Sequence, residues 1–117
     1  MELFIGNTPL HKSARDGHTE VTKLLLQNGT NPNIKNYHGS TPLHKSAING
    51  HTEIIKLLLE NGADPKIRDN NGFTPLHYSV SSGYTEISKL LLEMGTNPNI
   101  QNIFRKTPLH YLSLIHI

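Results

Sequence analysis

The tetrapeptide Thr-Pro-Leu-His begins at Thr8, Thr41, Thr74 and Thr107, so each copy follows the last at a fixed interval of 33 residues. Three further blocks keep the same register. Gly17-His18-Thr19-Glu20 returns as Gly50-His51-Thr52-Glu53 and Gly83-Tyr84-Thr85-Glu86, and Leu24-Leu25-Leu26 returns as Leu57-Leu58-Leu59 and Leu90-Leu91-Leu92. Gly29, Gly62 and Gly95 each stand three residues before a proline, Pro32, Pro65 and Pro98. A strict period of this length means one supersecondary unit used several times. A unit so short cannot bury an apolar face alone, so its core must be shared with its neighbours.

Each block has a local mechanical meaning. The threonine is an N-cap whose hydroxyl accepts from a free backbone N–H of the first turn. Proline follows at the first helical position, where a missing N–H costs nothing, and leucine points to the core. Histidine falls three residues after the cap, where a capping-box side chain reaches back to it. The spacing predicts a short helix ending near Arg15, Ile48 or Ser81 and stopped by Gly17, Gly50 or Gly83. A second helix follows. Its apolar residues Val21, Leu24 and Leu25, with Ile54, Leu57 and Leu58 and then Ile87, Leu90 and Leu91, form a stripe expected to face a neighbour. Lys23, Lys56 and Lys89 fall on its wetter side, and Gly29, Gly62 and Gly95 end it. The remainder of each unit, with Asn36, Gly39, Asp69, Asn70, Asn71 and Gly72, is turn-forming.

This pattern resembles the ankyrin repeat, over residues 1 to about 111. The resemblance implies an all-α fold: a solenoid of stacked helix-turn-helix units joined by hairpin-like loops. It also implies a non-catalytic protein–protein interaction module that binds another protein on its concave helix and loop surface. An alternative is that the array is the docking region of a larger enzyme, channel or toxin. The units are 1–33, 34–66, 67–99 and a partial 100–111. Leu3 stands where Asn36, Asp69 and Asn102 stand, and Arg105 replaces the turn glycine of Gly6, Gly39 and Gly72. Leu112 occupies the place of Ser13, Ser46 and Ser79. The tail Leu-Ser-Leu-Ile-His-Ile at 112–117 matches nothing in the repeat. It is read as a translated end sequence of transposon-based sequencing libraries, a non-native tail to an array that continues and whose last units fray.

Composition narrows the partners. Charged residues make up 17% and hydrophobic residues 35% of the chain, with 11 Lys and Arg against 9 Asp and Glu and a net charge of +2. That balance excludes charge-driven disorder and suits a thin stack. The basic residues are scattered rather than clustered, so nucleic-acid binding is not expected despite a sequence pI near 9.0. The absence of cysteine fits a reducing, intracellular and cytoplasmic setting. The apolar runs are too short to cross a bilayer, so no membrane insertion is expected. A monomer that needs no cofactor completes the expectation.

Eight histidines invite a metal reading. His11, His44, His77 and His110 are four copies of one position on helices that stack about 8–10 Å apart, too far for one ion to reach several of them through bonds of about 2 Å. His18 and His51 are a second repeated position, expected to bond between units. Ser13 beside His11 and Asp16 does not make a triad, because residues two apart on a helix do not share a face. A catalytic group is needed once, whereas these residues recur with the period.

Positions that do not repeat are free of the framework. By the resemblance they lie on loop tips and on the inner face of the first helix, where a partner binds. In the second unit they are Tyr37, His38, Ser40, Ile48 and Asn49, and in the third Asn70, Asn71, Phe73, Ser81 and Ser82. The first unit offers Phe4, Ile5, Asn7, Arg15 and Asp16, and the fourth Ile103, Phe104 and Lys106. Aromatic side chains are favoured interface anchors, so Tyr37, Phe73 and Phe104 are expected to form a stripe along the concave edge.

Overall fold

The computed structural model describes residues 5–110. Among them the helices come in pairs: α1 (Pro9–Asp16) with α2 (Thr19–Gln27), α3 (Pro42–Asn49) with α4 (Thr52–Glu60), and α5 (Pro75–Ser81) with α6 (Thr85–Glu93). A further helical turn opens at residues 108–110, and no strand occurs among the described residues. First helices pack on first helices, second helices on second helices, and each pair packs within its unit. The result is a two-layered all-α stack with extents of 42 × 28 × 21 Å. The expectations for Leu3, Phe4, Leu112 and the 112–117 tail lie outside the described residues.

The helix starts form as their sequence dictates. Thr8, Thr41 and Thr74 are extended at φ −82°, −103° and −95°, and each hydroxyl accepts from the N–H of the histidine three residues on. The threonine N–H in turn donates to Nδ1 of that histidine, at 3.2 Å for His11, 3.1 Å for His44 and 2.9 Å for His77. A backbone N–H can only donate, so Nδ1 carries a lone pair and the ring proton sits on Nε2. That proton is given to a carbonyl of the following unit: Ser40 O for His11, Phe73 O for His44 and Ile100 O for His77, each at 2.8 Å. One side chain thus closes its own cap and ties down the next loop. The period predicts the first bond; the second becomes visible only when the units are stacked.

Burial of these rings holds the pKa of His11, His44 and His77 below the ordinary histidine value of 6.5. The carbonyl each ring bonds opposes this, but less strongly than desolvation favours the neutral form.

Leu10, Leu43 and Leu76 of the tetrapeptides are buried, with Ala14, Ala47 and Val80 one turn on. In the second-helix layer the predicted stripe needs correction. Val21 and Leu24 are 47% and 58% exposed, whereas Ile54, at Val21's place one unit on, is 1% exposed. In α2 the buried residues are Thr22 and Leu26 instead, and in α4 they are Ile54, Ile55 and Leu58. A second helix between two neighbours, as α4 is, is sandwiched rather than docked on one side. Positions 21, 54 and 87 face the preceding unit, and positions 26, 59 and 92 face the following one. No described unit precedes α2, so its first set is exposed. At the other end Leu92 is exposed and, with Leu76, Val80, Pro98, Pro108 and Leu109, lines an apolar cleft of about 170 Å³.

The unit seams are close. Gly17 and Gly50 end α1 and α3 in the left-handed region at φ 79° and 75°. A Cβ on either would lie 2.7 Å from the His51 ring or 2.9 Å from the Tyr84 ring. His51 also donates from Nε2 to Arg15 O across the seam at 3.0 Å, the inter-unit bond expected of it.

Two outcomes follow from this packing. Leu58→Ala should lower unfolding free energy by about 2–5 kcal/mol and Val21→Ala by less than about 1 kcal/mol, measured by chemical denaturation. Equal losses would contradict the sandwich. The unfolded chain binds protons on these histidines that the folded chain refuses, so stability is full above pH 6.5 and is lost as pH falls from there toward the depressed native values. A denaturation midpoint that stays flat from above pH 7 to about pH 5 would show that the rings are not held neutral.

Candidate functional site

Each loop tip is folded by its own first residue. Asn36 Oδ1 accepts from the N–H groups of His38 and Ser40 at 2.9 and 3.0 Å. Asp69 Oδ1 does the same for Asn71 and Phe73, and Asn102 Oδ1 for Phe104 and Lys106. The turn closes with a backbone bond from Asn36 N–H to Ser40 O, repeated from Asp69 to Phe73 and from Asn102 to Lys106. These are the carbonyls, or the neighbours of those, that the buried histidines engage. Successive tips are then joined in a ladder: Tyr37 N–H to Ile5 O at 2.8 Å, Asn70 N–H to His38 O at 2.9 Å and Ile103 N–H to Asn71 O at 2.9 Å. Asn70 Nδ2 adds a bond to Tyr37 O, and Arg68 Nη2 one to Gln101 O. The loops are therefore a bonded edge, set in place before any partner arrives.

Most of the non-repeating residues lie on the surface of this edge and of the first helices. Tyr37, His38, Ile48, Asn49, Asn70, Asn71, Ser81, Ser82 and Phe104 are exposed, and Phe73 and Lys106 are half-buried. Ser40 does not fit the contact set. It is only 6% exposed, because it sits between its loop's turn and the His11 ring, so it belongs to the framework.

The aromatic residues do not form the expected single stripe. Tyr37 is 72% exposed and lies against Gly6, where a Cβ would come within 3.1 Å of its ring. Phe73 instead stacks on Tyr78 at 4.9 Å and meets Phe104 edge-on at 6.1 Å. The Tyr78 hydroxyl donates to Asp69 Oδ2, and His44 meets the Tyr78 ring edge-on at 6.0 Å. Sequence reasoning missed Tyr78. The signal was present, because Tyr78 replaces Lys12 and Lys45 at the same repeat position, but its pairing with Phe73 depends on the turn that lies between them.

The serine and histidine of the first helix are committed to the framework. Ser13 Oγ pairs with Thr22 Oγ1 at 2.8 Å and Ser79 Oγ with Ser88 Oγ at 2.9 Å. Ser46, opposite the apolar Ile55, donates to the carbonyls of Pro42 and Leu43 instead. The His11 ring bonds Thr8 and Ser40 and not Ser13. Among the described residues no cluster of three or more His, Cys, Asp or Glu is placed to hold a metal ion, and no helix is long and apolar enough to cross a membrane.

A family model described as ankyrin repeats (3 copies) matches residues 2–69, and one described as ankyrin repeats (many copies) matches residues 47–92. No curated protein matches the chain.

The fourth loop carries a strain that the others avoid. Arg105 adopts φ 57° where Gly6, Gly39 and Gly72 stand in the earlier units. The left-handed conformation costs a non-glycine residue about 1–2 kcal/mol, partly offset by the stiffer unfolded chain. Arg105→Gly should therefore raise stability by up to about 1 kcal/mol in chemical denaturation. A destabilised variant would show that the arginine side chain holds the loop.

Proposed function

Since the chain belongs to the ankyrin repeat family, we propose that it is a non-catalytic binding module that takes a protein partner on the surface made by its loop tips and first helices. The observation that supports this reading is the division of the residues. The repeated blocks supply the caps, seams and core, and, Ser40 apart, the non-repeating residues of the loop tips and first-helix ends lie together at the surface. Tyr37, His38, Asn70, Asn71 and Phe104 come from the loop tips, with Phe73 and Lys106 at their base. Ile48, Asn49, Ser81 and Ser82 come from the ends of the first helices. The edge is bonded to itself and to the helix layer, so a partner meets it with little ordering cost, which favours affinity.

Tyr37 and Phe104, at 72% and 61% exposed, are aromatic side chains on this edge that lie outside the buried core. Phe73 is a poorer probe, because its stacking on Tyr78 mixes stability with contact. Tyr37→Ala with Phe104→Ala should leave the far-ultraviolet circular dichroism spectrum and the denaturation midpoint nearly unchanged. It should weaken a partner isolated with the wild-type chain by about tenfold or more in quantitative pull-down. Retention of the partner by this double variant, with loss in a variant of the second-helix layer such as Lys23→Ala with Glu86→Ala, would move the binding surface to the other side of the stack.

A further inference from the structure

Charge is divided between the two layers. The first helices and the loop tips (34–40, 67–73 and 100–106) carry seven Lys and Arg against two Asp, a net of +5, whereas the second helices carry three Lys against five Glu, a net of −2. The chain's small overall charge conceals this polarity. On the second helices the charges belong to the repeated framework and answer one another: Lys56 Nζ lies 3.7 Å from Glu53 and 3.8 Å from Glu86. On the other side several cations stand where the units differ. Lys45 shares its repeat position with Tyr78, Arg68 with Gln101, and Lys106 with Phe73 and Ser40.

The two carboxylates counted here are both engaged within the fold. Asp16 is held by Arg15 at 2.8 Å. The Asp69 carboxylate is occupied by the N–H groups of Asn71 and Phe73 and by the Tyr78 hydroxyl. Asp69 is thereby built into the floor of the aromatic cluster. The side with the net positive charge also holds the aromatic cluster of Phe73, Tyr78 and Phe104; Arg105 and Lys106 directly follow Phe104, and Lys45 follows His44, whose ring meets Tyr78.

Resting on the reading that this surface binds a protein, we propose that the partner presents an acidic segment carrying an apolar or aromatic side chain. Its carboxylates answer Lys45, Arg105 and Lys106, and its apolar side chain meets the edge-to-face pair of Phe73 and Phe104. Opposite charge steers such a segment to the face and fixes its register, while the aromatic pair supplies the anchor. A nucleic acid fits less well. A phosphate backbone calls for cations along a continuous track, and here the cations alternate with neutral residues at the repeat positions Lys45 and Tyr78, Arg68 and Gln101, and Lys106 and Phe73.

The test is an amide chemical-shift titration of the full chain at low ionic strength with a short Glu- and Asp-rich peptide containing one Phe. Parallel titrations use the same peptide with Lys at the acidic positions and a single-stranded thymidine oligonucleotide. The acidic peptide should shift the amides of Tyr78, Phe104 and Lys106. Lys45→Glu with Lys106→Glu should weaken it by about tenfold, while Lys23→Glu with Lys89→Glu, which changes net charge equally on the second-helix layer, should not. If the first pair fails to fold, Lys45→Gln with Lys106→Gln replaces it, with a smaller loss expected. Equal weakening by both pairs, no binding of the acidic peptide, or preference for the oligonucleotide would each overturn the proposal. Binding of the Lys peptide at the same amides would overturn the acidic class while leaving the surface intact. Shifts confined to α2, α4 and α6 would sink the surface reading itself.

Discussion

The imidazoles of His11, His44 and His77 each use both ring nitrogens, one inside the unit and one across the seam. Nδ1 accepts from the threonine that caps the helix, and Nε2 donates to the loop of the next unit. All three rings are fully buried, so neither bond has water to replace it, and an unmade one leaves a desolvated polar group. Helix start, loop position and unit spacing are therefore set together. That is why the tetrapeptide recurs without error while the residues around it change.

A framework that closes its own hydrogen bonds leaves the other positions open. The loop tips are held from beneath by the histidines, from within by Asn36, Asp69 and Asn102, and from the side by their rungs to one another. Most of these bonds run through the backbone or the turn residues, with Arg68 and Asn70 adding one each, so the outward tip side chains vary between units without disturbing them. On the third and fourth units they include the aromatic cluster of Phe73 and Phe104 with Tyr78 of the neighbouring helix. Arg105 goes further, a charged side chain at a backbone position where the other units place glycine.

Much of this was legible in the sequence, because a period is a statement about packing. Capping threonine and histidine, first-turn proline and the terminating glycines each have one local solution, and the structure follows them to within a residue at most ends. The second helix was read less well. Val21, Leu24 and Leu25 make a good helical stripe, but periodicity reports only that a face is apolar, not which neighbour covers it. The coverage depends on whether a unit stands on each side, and Val21 and Ile54 differ for that reason alone. Ser40 varies between units and so reads as a contact residue from sequence, although its backbone is anchored and its small side chain fits a buried place. Tyr78 and its ring partners were hidden because their contacts join a loop to a helix. The polarity of charge was equally hidden, since scattered charges along a chain become a pattern only after the layers are assigned.

Native-state amide exchange on His44→Ala shows whether one side chain couples the cap of its own unit to the loop of the next. With such coupling, the N–H of Asp69, which donates to Phe73 O in the next loop, loses protection together with the first turn of α3 and by a comparable factor. Fraying of α3 with the protection of Asp69 unchanged would contradict it, and would mean that the units are stacked by apolar contact alone.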